Sequence, residues 1–290
     1  LFRSAQSSVK TLFSSIRIGI TGSPGAGKST FIESLGEVII QSGLSLAVLA
    51  IDPSSRQSRG SILGDKARME KLSGRKEAYI RPSASSGHLG GLSPKTHETI
   101  VLCEAAGYDV IIVETVGVGQ SEVEVDSMVD FILLLMLPGS GDELQGIKRG
   151  IMEIADAIAI TKTDGAQENI AHLSKTEFEA ALRMLPLKYP FWQRHVYLTS
   201  ALDGKGINEV WMNIMKFIDE IRRNGILLEK RREQLKNLLY GILEGMLKQE
   251  FFTSAEVINL QENVERRVVS AEISPFTGAS LLMEAFTRRR

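Results

Sequence analysis

A glycine-rich octapeptide at residues 22–29, Gly-Ser-Pro-Gly-Ala-Gly-Lys-Ser, constrains the fold more than any other part of the sequence. An apolar stretch, 17–21, precedes it, and a helix-forming stretch, 28–41, follows it directly. Glycines let the backbone curl until its N–H groups converge, and the start of the following helix adds the positive end of its dipole. The pattern G-x-x-x-x-G-K-S between a strand and a helix therefore predicts a loop that wraps phosphate groups.

Every residue of this phosphate loop is a candidate nucleotide ligand. The set consists of Gly22, Ser23, Pro24, Gly25, Ala26, Gly27, Lys28, Ser29 and Thr30. Lys28 is expected to reach the β- and γ-phosphates, which makes it a candidate catalytic residue, and the Ser29 hydroxyl is expected to bind Mg²⁺. A glycine-rich turn without a ligand is the alternative, and the strand before and the helix after the motif disfavour it.

Apolar stretches alternate with helix-forming stretches along most of the chain. The predicted strands are 17–21, 46–52, 109–114, 130–138, 157–162 and 195–200, and the helices between them include 28–41, 95–106 and 168–185. Several strands are apolar at consecutive positions, as expected for parallel strands that are covered on both faces. The sequence thus predicts an α/β fold, a doubly wound, mainly parallel sheet of the P-loop NTPase type with ligands at the carboxyl ends of its strands.

The pattern changes after residue 225, where helix-forming stretches follow one another without strands. We predict an N-terminal helical segment (1–15), a P-loop domain (16–225) and a C-terminal helical extension (226–290). Apolar residues fall broadly on one face of the extension's first helix. They are Leu235, Leu238, Leu239, Ile242, Leu243, Met246 and Leu247. This face predicts a homodimer, and the alternative is that it folds back on the sheet.

Composition argues against several classes of partner. Lysine and arginine number 34 against 35 acidic residues, so the sequence gives no reason to expect a nucleic-acid partner. The longest apolar run, 131–137, is far shorter than the roughly 20 residues of a membrane-spanning helix, so we expect no membrane partner. The single cysteine, Cys103, excludes an intrachain disulfide and suits a reducing compartment.

Acidic residues at strand ends are candidate Mg²⁺ ligands. Glu114 ends a predicted strand, where P-loop proteins hold the metal, and it is also a candidate catalytic residue. Gly117 can present its N–H group to a γ-phosphate. Asp52 and Asp65 complete the predicted metal set with Ser29 and Glu114. For these two aspartates, a turn former and a helix cap are equally good interpretations.

Two later strand ends predict a pocket for guanine. Their candidate base contacts are Thr161, Lys162, Asp164, Ser200, Ala201 and Leu202. The Asp164 carboxylate can accept hydrogen bonds from guanine N1–H and N2–H₂, which adenine lacks, so GTP or GDP is favoured over ATP. Lys162 can lay its methylene stem over the base, and a backbone N–H group near Ser200 can reach guanine O6.

Two further stretches, together with these motifs, resemble the MeaB/ArgK family of P-loop GTPases over roughly residues 16–221. They are 114–121, Glu-Thr-Val-Gly-Val-Gly-Gln-Ser, and 141–150, Gly-Asp-Glu-Leu-Gln-Gly-Ile-Lys-Arg-Gly. The resemblance implies a GTPase chaperone that gates adenosylcobalamin loading of a mutase, usually methylmalonyl-CoA mutase, and protects the mutase from inactivation. It also implies a dimerisation arm in the C-terminal helices, and a location in the bacterial cytoplasm or the mitochondrial matrix.

The same resemblance gives roles to individual positions. It implies that Asp52 and Asp65 belong to switch I, that Glu114 is the switch II acid, and that 139–150 is a third switch that relays nucleotide state to the mutase. Many GTPases orient the attacking water with a glutamine where this chain has Val118, so slow intrinsic hydrolysis is expected. Lys148 is a candidate catalytic cation that a partner brings into place, with a surface charge as the alternative.

Two other functions stay open on the sequence. Some members of the family carry the label of arginine/ornithine (LAO/AO) transport system kinases, although no base that would activate a phosphate acceptor is visible. An ATPase of the partitioning type is opposed mainly by Asp164. The stretch 83–91, rich in serine and glycine, is either a second phosphate cradle or a loop beside the nucleotide.

Overall fold

A computed structural model of the chain describes residues 15–52, 69–84, 94–115, 125–140 and 149–288. Its strands are β1 (Ile16–Gly22), β2 (Leu46–Asp52), β3 (Ala78–Ala84), β4 (Val110–Thr115), β5 (Phe131–Met136), β6 (Ala157–Ile160) and β7 (His195–Leu198). Its helices are α1 (Lys28–Gln41), α2 (Glu70–Ser73), α3 (Pro94–Ala105), α4 (Arg149–Ile154), α5 (Glu168–Met184), α6 (Ile207–Arg223), α7 (Ile226–Thr253), α8 (Ala255–Val269) and α9 (Pro275–Thr287).

The strands form one sheet in the order β3-β2-β4-β1-β5-β6-β7, and every neighbouring pair of these strands is parallel. One face packs against α1 and α6, for example through Ile18, Phe31 and Phe217. The other face packs against α3, α4 and α5, for example through Ile111 and Phe178. Because both faces are covered, strand residues are buried at consecutive positions. The predicted doubly wound fold is therefore confirmed.

Aspartates just before three strands hydrogen-bond to the neighbouring strands. The Oδ2 atoms of Asp109, Asp130 and Asp156 accept from the N–H groups of Ser45, Arg17 and Ile132 at 2.9, 2.8 and 2.8 Å, respectively. These bonds satisfy main-chain donors where the parallel ladder begins. The strands β4 and β5 each begin one residue later than predicted.

The sequence did not predict β3, and it predicted α9 only as part of the helical extension 226–290, without bounds of its own. Arg81 and Pro82 weaken the apolar pattern of β3, and the sheet accepts the proline because β3 is its edge strand. At the start of α9, the side chain of Ser274 accepts a hydrogen bond from Thr277 N, and Pro275 occupies the first turn. A serine followed by proline is a common helix start, so the sequence carried a signal for α9.

The chain divides into two compact units, residues 1–234 and 235–290. The first unit contains the sheet and the first residues of α7, and the second contains the rest of α7 with α8 and α9. In the second unit, Gly278 lets α8 and α9 approach closely, since a Cβ there would lie 2.8 Å from Val268 Cγ2. Of the predicted N-terminal helical segment, only Ser15 lies within the described residues. No described helix is both long and apolar enough to span a bilayer.

Candidate nucleotide-binding site

The phosphate loop lies at the carboxyl end of β1, a central strand of the sheet. Gly25 and Gly27 have φ angles of 81° and 75°, a conformation that residues with a side chain rarely adopt. A Cβ at Gly22 would clash with the carbonyl oxygen of Leu135, where β1 runs beside β5. The loop geometry therefore depends on glycine at each of these three positions.

Lys28 turns back over the loop that precedes it. Its Nζ donates to the carbonyl oxygens of Gly22 and Ser23 at 2.8 and 3.2 Å. Burial lowers the pKa of Lys28, and the nearby Glu114 carboxylate acts in the opposite direction. These two bonds hold the ammonium group of Lys28 beside the phosphate loop.

Ser29 and Glu114 bring two oxygen donors together beside the loop. The Ser29 Oγ donates to Glu114 Oε1 at 3.3 Å, and Glu114 is buried at the end of β4. Hydroxyl and carboxylate oxygens fit Mg²⁺, which takes few protein ligands in phosphate-binding sites and completes its shell with phosphate oxygens and water. Among the described residues, no group of three or more His, Cys, Asp or Glu could hold a metal ion. The pair fits a metal that a nucleotide brings with it.

The predicted base loop is hydrogen-bonded to the phosphate loop. The Thr161 Oγ1 donates to the carbonyl oxygens of Ala26 and Met136 at 2.8 and 3.2 Å. Lys162 has a left-handed φ of 56°, and its Cε lies 3.6 Å from the position that a Cβ would take at Gly27. A non-glycine residue in this conformation costs on the order of 1 kcal/mol, which the surrounding bonds must offset. The stem of Lys162 consequently lies beside the phosphate loop.

Asp164 follows in the same loop and is half-buried. It precedes a short 3₁₀ helix, Gly165–Gln167, and its side chain makes no capping hydrogen bond to that helix, which lies within the described residues. An aspartate in this place ordinarily caps the helix with its carboxylate. Here the geometry leaves the carboxylate available for hydrogen-bond donors from outside the helix.

A second loop, 199–205, lies against the first. Thr199 accepts from Thr163 N at 3.2 Å and donates through its own N–H group to Ile160 O at 2.8 Å. Lys205 Nζ contacts Glu168 Oε1 at 2.8 Å, which joins the second loop to the start of α5. Sequence reasoning missed this pair, because nothing in either local motif points to the other. Leu202, a predicted base contact, is exposed at the tip.

The structure brings most of the predicted site residues to one edge of the sheet. These are the phosphate loop, Glu114 and the loops that contain Asp164 and Ser200, each of which follows the carboxyl end of a strand. Of Asp52, the structure describes only the backbone, as the last residue of β2. Asp65, Gly117, Val118 and Lys148 lie outside the described residues, as do most of the third-switch stretch 139–150 and most of the loop 83–91.

Comparisons with known proteins agree with this geometry. A family model described as methylmalonyl-CoA mutase-associated GTPase MeaB matches residues 6–256. The methylmalonic aciduria type A homolog of Mus musculus, a mitochondrial protein, is 46% identical over 273 residues, which cover 94% of this chain and 66% of that protein. The GTPase ArgK of Escherichia coli is 46% identical over 269 residues, covering 93% and 81%. The chain thus spans a little less than two thirds of the mouse protein's length.

Two solved structures are similar to this chain in fold. The crystal structure of a LAO/AO transport system kinase superposes with a TM-score of 0.73 at 36% identity, covering 97% of this chain and 85% of that one. The HypB protein of Helicobacter pylori, solved in complex with nickel, superposes with a TM-score of 0.52 at 19% identity, covering 77% and 95%. The second likeness concerns the fold alone.

Proposed function

Because this chain belongs to the MeaB family of methylmalonyl-CoA mutase-associated GTPases, we propose that it uses GTP hydrolysis to control a cobalamin-dependent mutase. In this proposal it gates the loading of adenosylcobalamin and protects the mutase from inactivation, and methylmalonyl-CoA mutase is the partner. The family description and the name of the mouse relative support the choice of partner. The contact of Ser29 with Glu114, beside an intact phosphate loop, is the observation that carries the proposed chemistry.

The phosphate end of the nucleotide is assigned to the loop and its neighbours. We propose that the N–H groups of the loop and the ammonium group of Lys28 bind the β- and γ-phosphates, with Gly117 N–H on the γ-phosphate. Ser29 and Glu114 would hold Mg²⁺, with Asp52 and Asp65 close to it. When bound, the metal supplies positive charge against the phosphate oxygens. Lys28 is suited to its role because two carbonyl oxygens already fix its position.

The base end is assigned to the loops that follow β6 and β7. Asp164 would accept from guanine N1–H and N2–H₂, the stem of Lys162 would cover the ring, and main-chain N–H groups of Ser200, Ala201 and Leu202 would reach O6. Support comes from the bond of Thr161 to the phosphate loop, which fixes the base loop relative to the phosphates. Bound ATP would leave the Asp164 carboxylate desolvated and without hydrogen-bond donors, because adenine lacks the N1–H and N2–H₂ groups of guanine.

Hydrolysis by the isolated protein is expected to be slow. Val118 can neither donate nor accept a hydrogen bond through its side chain, so it cannot orient an attacking water. We propose that binding to the mutase rearranges the switches and that Lys148 then stabilises charge on the phosphates. Stabilisation supplied in trans raises GTPase rates by roughly 10³ to 10⁵ in known cases.

The assembly proposed is a homodimer through the helical extension 226–290, beside the GTPase domain 16–225. Support comes from apolar side chains of α7 that are exposed in the single chain, among them Leu239, Leu243, Met246 and Leu247. Exposed apolar surface of this kind marks contact sites between proteins. For location we propose the bacterial cytoplasm or the mitochondrial matrix, since the relatives include bacterial proteins and a mitochondrial one.

A phosphotransferase is the second candidate, because the solved relative at 36% identity is named a kinase. The two functions differ in the fate of the γ-phosphate. With γ-labelled GTP, a GTPase releases all of the label as inorganic phosphate, whether or not arginine or ornithine is present. Label recovered on an amino acid or on a protein would favour the kinase.

The partner is tested by binding the full chain to purified methylmalonyl-CoA mutase in a calorimeter. We expect a complex whose affinity differs between GDP and a non-hydrolysable GTP analogue. Lys28→Ala is the matched variant, because it should still bind the mutase while losing the dependence on nucleotide. No complex in either nucleotide state would overturn the proposed partner and leave the GTPase assignment standing.

A further inference from the structure

A buried cluster of four charged side chains lies at the opposite end of the sheet from the nucleotide site. It consists of Arg17, Glu104, Asp130 and Arg231, with exposed fractions of 5, 1, 0 and 1%. Arg17 forms two bonds to Glu104 at 2.9 and 2.7 Å, and Arg231 forms two bonds to Asp130 at 2.6 and 2.7 Å. Arg231 also contacts Glu104 Oε1 at 2.9 Å. The two positive charges balance the two negative charges.

The cluster holds the 125–130 segment, which the chain enters after Glu114 and residues 115–124. Val125 and Val129 pack flat on β1 at Gly19, where a Cβ would lie 2.5 Å from Val125 Cγ1. Asp130 in turn accepts from Arg17 N on β1. The segment is therefore joined to the nucleotide site through β1, which runs into the phosphate loop.

Residues at the start of α7 bind this segment from the other side. Gln234 Nε2 donates to Val129 O at 2.8 Å and to Asp126 O at 3.5 Å. Lys230 Nζ contacts Asp126 Oδ1 at 3.0 Å and Asp130 O at 3.4 Å. We call Lys230, Arg231 and Gln234 the α7 clasp. All of these contacts lie within the first compact unit, which ends at Gln234.

The chemistry of the clasp suits positioning better than stabilisation alone. A buried ion pair adds little stability over well-packed apolar side chains of the same volume, because both charges lose their hydration. Bidentate charged bonds and bonds to main-chain carbonyls instead define one position and one orientation. The clasp donates hydrogen bonds to the main-chain carbonyl oxygens of Asp126, Val129 and Asp130 in the 125–130 segment. Moving the segment would require these bonds to break or to exchange.

We propose that the α7 clasp positions the 125–130 segment for GTP hydrolysis and makes the start of α7 sensitive to the nucleotide at the phosphate loop. The proposal rests on the proposed function for the identity of the nucleotide. Gln234 and Arg231 act through the segment, so they are positioning residues. They do not contact guanine or phosphates in this proposal, and a loosened clasp therefore slows the chemical step more than it changes nucleotide affinity.

The kinetic test compares two substitutions on one turn of α7. Gln234→Met keeps the length of a buried side chain and removes its donors, whereas Arg232→Ala removes an exposed cation beside it. For Gln234→Met we expect a single-turnover rate constant lower by on the order of tenfold, with a calorimetric dissociation constant for GTP that changes by much less. Arg232→Ala should change neither quantity. Equal rate constants for wild type and Gln234→Met would overturn the positioning role.

The structural test is hydrogen exchange on the full chain with GDP and with a non-hydrolysable GTP analogue. We expect the exchange of residues 226–234 to differ between the two states in the wild type. Gln234→Met should lose this difference and keep the one at the phosphate loop. If the protein binds GTP but exchange at 226–234 is the same in both states, the proposed role of the clasp is wrong and the proposed function stands. If the protein does not bind GTP, the proposed function is overturned as well. If Gln234→Met does not fold, the wild-type exchange decides.

Discussion

The hydroxyl group of Thr161 donates a hydrogen bond of 2.8 Å to the carbonyl oxygen of Ala26, although 135 positions separate the two residues in the sequence. This bond joins the end of β6, where the base is expected, to the loop that is expected to hold the phosphates. A second bond from the same hydroxyl, to Met136 O at 3.2 Å, fixes both to β5. These two bonds therefore fix the distance between the base loop and the phosphate loop.

The first prediction concerns the choice of base. Asp164→Asn should lower the affinity for GTP by roughly tenfold to a hundredfold, because an amide cannot accept from both guanine donors as a carboxylate does. The same variant should gain affinity for xanthosine triphosphate, whose C2 carbonyl can accept from the amide. Calorimetric titration of GTP, ATP and xanthosine triphosphate measures all three. Equal affinities of the wild type for ATP and GTP would refute the guanine assignment.

The second prediction concerns the buried charges. Asp130→Asn leaves the Arg231 guanidinium in the interior with one carboxylate fewer, so the free energy of unfolding should fall by about 3–5 kcal/mol. Glu284→Gln is the control, since it removes a carboxylate from an exposed ion pair with Arg288 and should cause no measurable change. Urea denaturation followed by circular dichroism compares the two. Similar unfolding midpoints for both variants would contradict the account of the cluster.

The third prediction is a pH dependence of stability that comes from His97. The pKa of His97 is lowered from 6.5 to about 4, first by burial and then by the charge of Arg17, although a hydrogen bond to the Ser127 backbone acts in the opposite direction. Because the folded pKa lies below the unfolded one, the unfolded chain takes up the proton first as the pH falls. The contribution is therefore fully present above pH 6.5 and is lost towards pH 4.

His97→Gln should remove this loss, which amounts to at most about 3 kcal/mol of unfolding free energy after allowance for partial exposure. The measurement is a series of urea denaturations between pH 7 and pH 4. His172→Gln, at an exposed histidine, is the control and should leave the wild-type slope unchanged. A His97→Gln slope equal to that of the wild type would show that another group titrates there.

Sequence reasoning found the parts of this protein in which the physical signal is local. The phosphate loop, the central strands and the Thr161–Asp164 loop are each encoded by a few consecutive residues. It missed the edge strand β3, because Pro82 interrupts the pattern from which a strand is predicted. It could not have paired Arg231 with Glu104, since 127 positions separate them and a charged residue on a helix ordinarily indicates solvent. Nor could it pair Lys205 with Glu168, which meet only because two loops follow neighbouring strands.

The fourth prediction concerns assembly through α7. We expect light scattering at tens of micromolar to give the mass of a dimer for the wild type and of a monomer for Leu243→Glu, because a buried charge disfavours an apolar contact. Leu243 is 46% exposed in the single chain. Leu102→Glu is the control, since Leu102 is 64% exposed on α3, outside the extension. A wild-type monomer at this concentration would defeat the proposed dimer.

We propose a GTPase that controls a cobalamin-dependent mutase and whose hydrolysis the mutase accelerates, so the decisive measurement is single-turnover GTP hydrolysis with and without purified methylmalonyl-CoA mutase. We expect slow hydrolysis by the chain alone and a large acceleration by the mutase. We also expect the acceleration to be reduced in Lys148→Ala. No turnover is expected in Lys28→Ala, which stays folded because the side chain of Lys28, in the first turn of α1, is not part of the apolar core. Fast hydrolysis that the mutase leaves unchanged, or wild-type turnover by Lys28→Ala, would contradict this proposal.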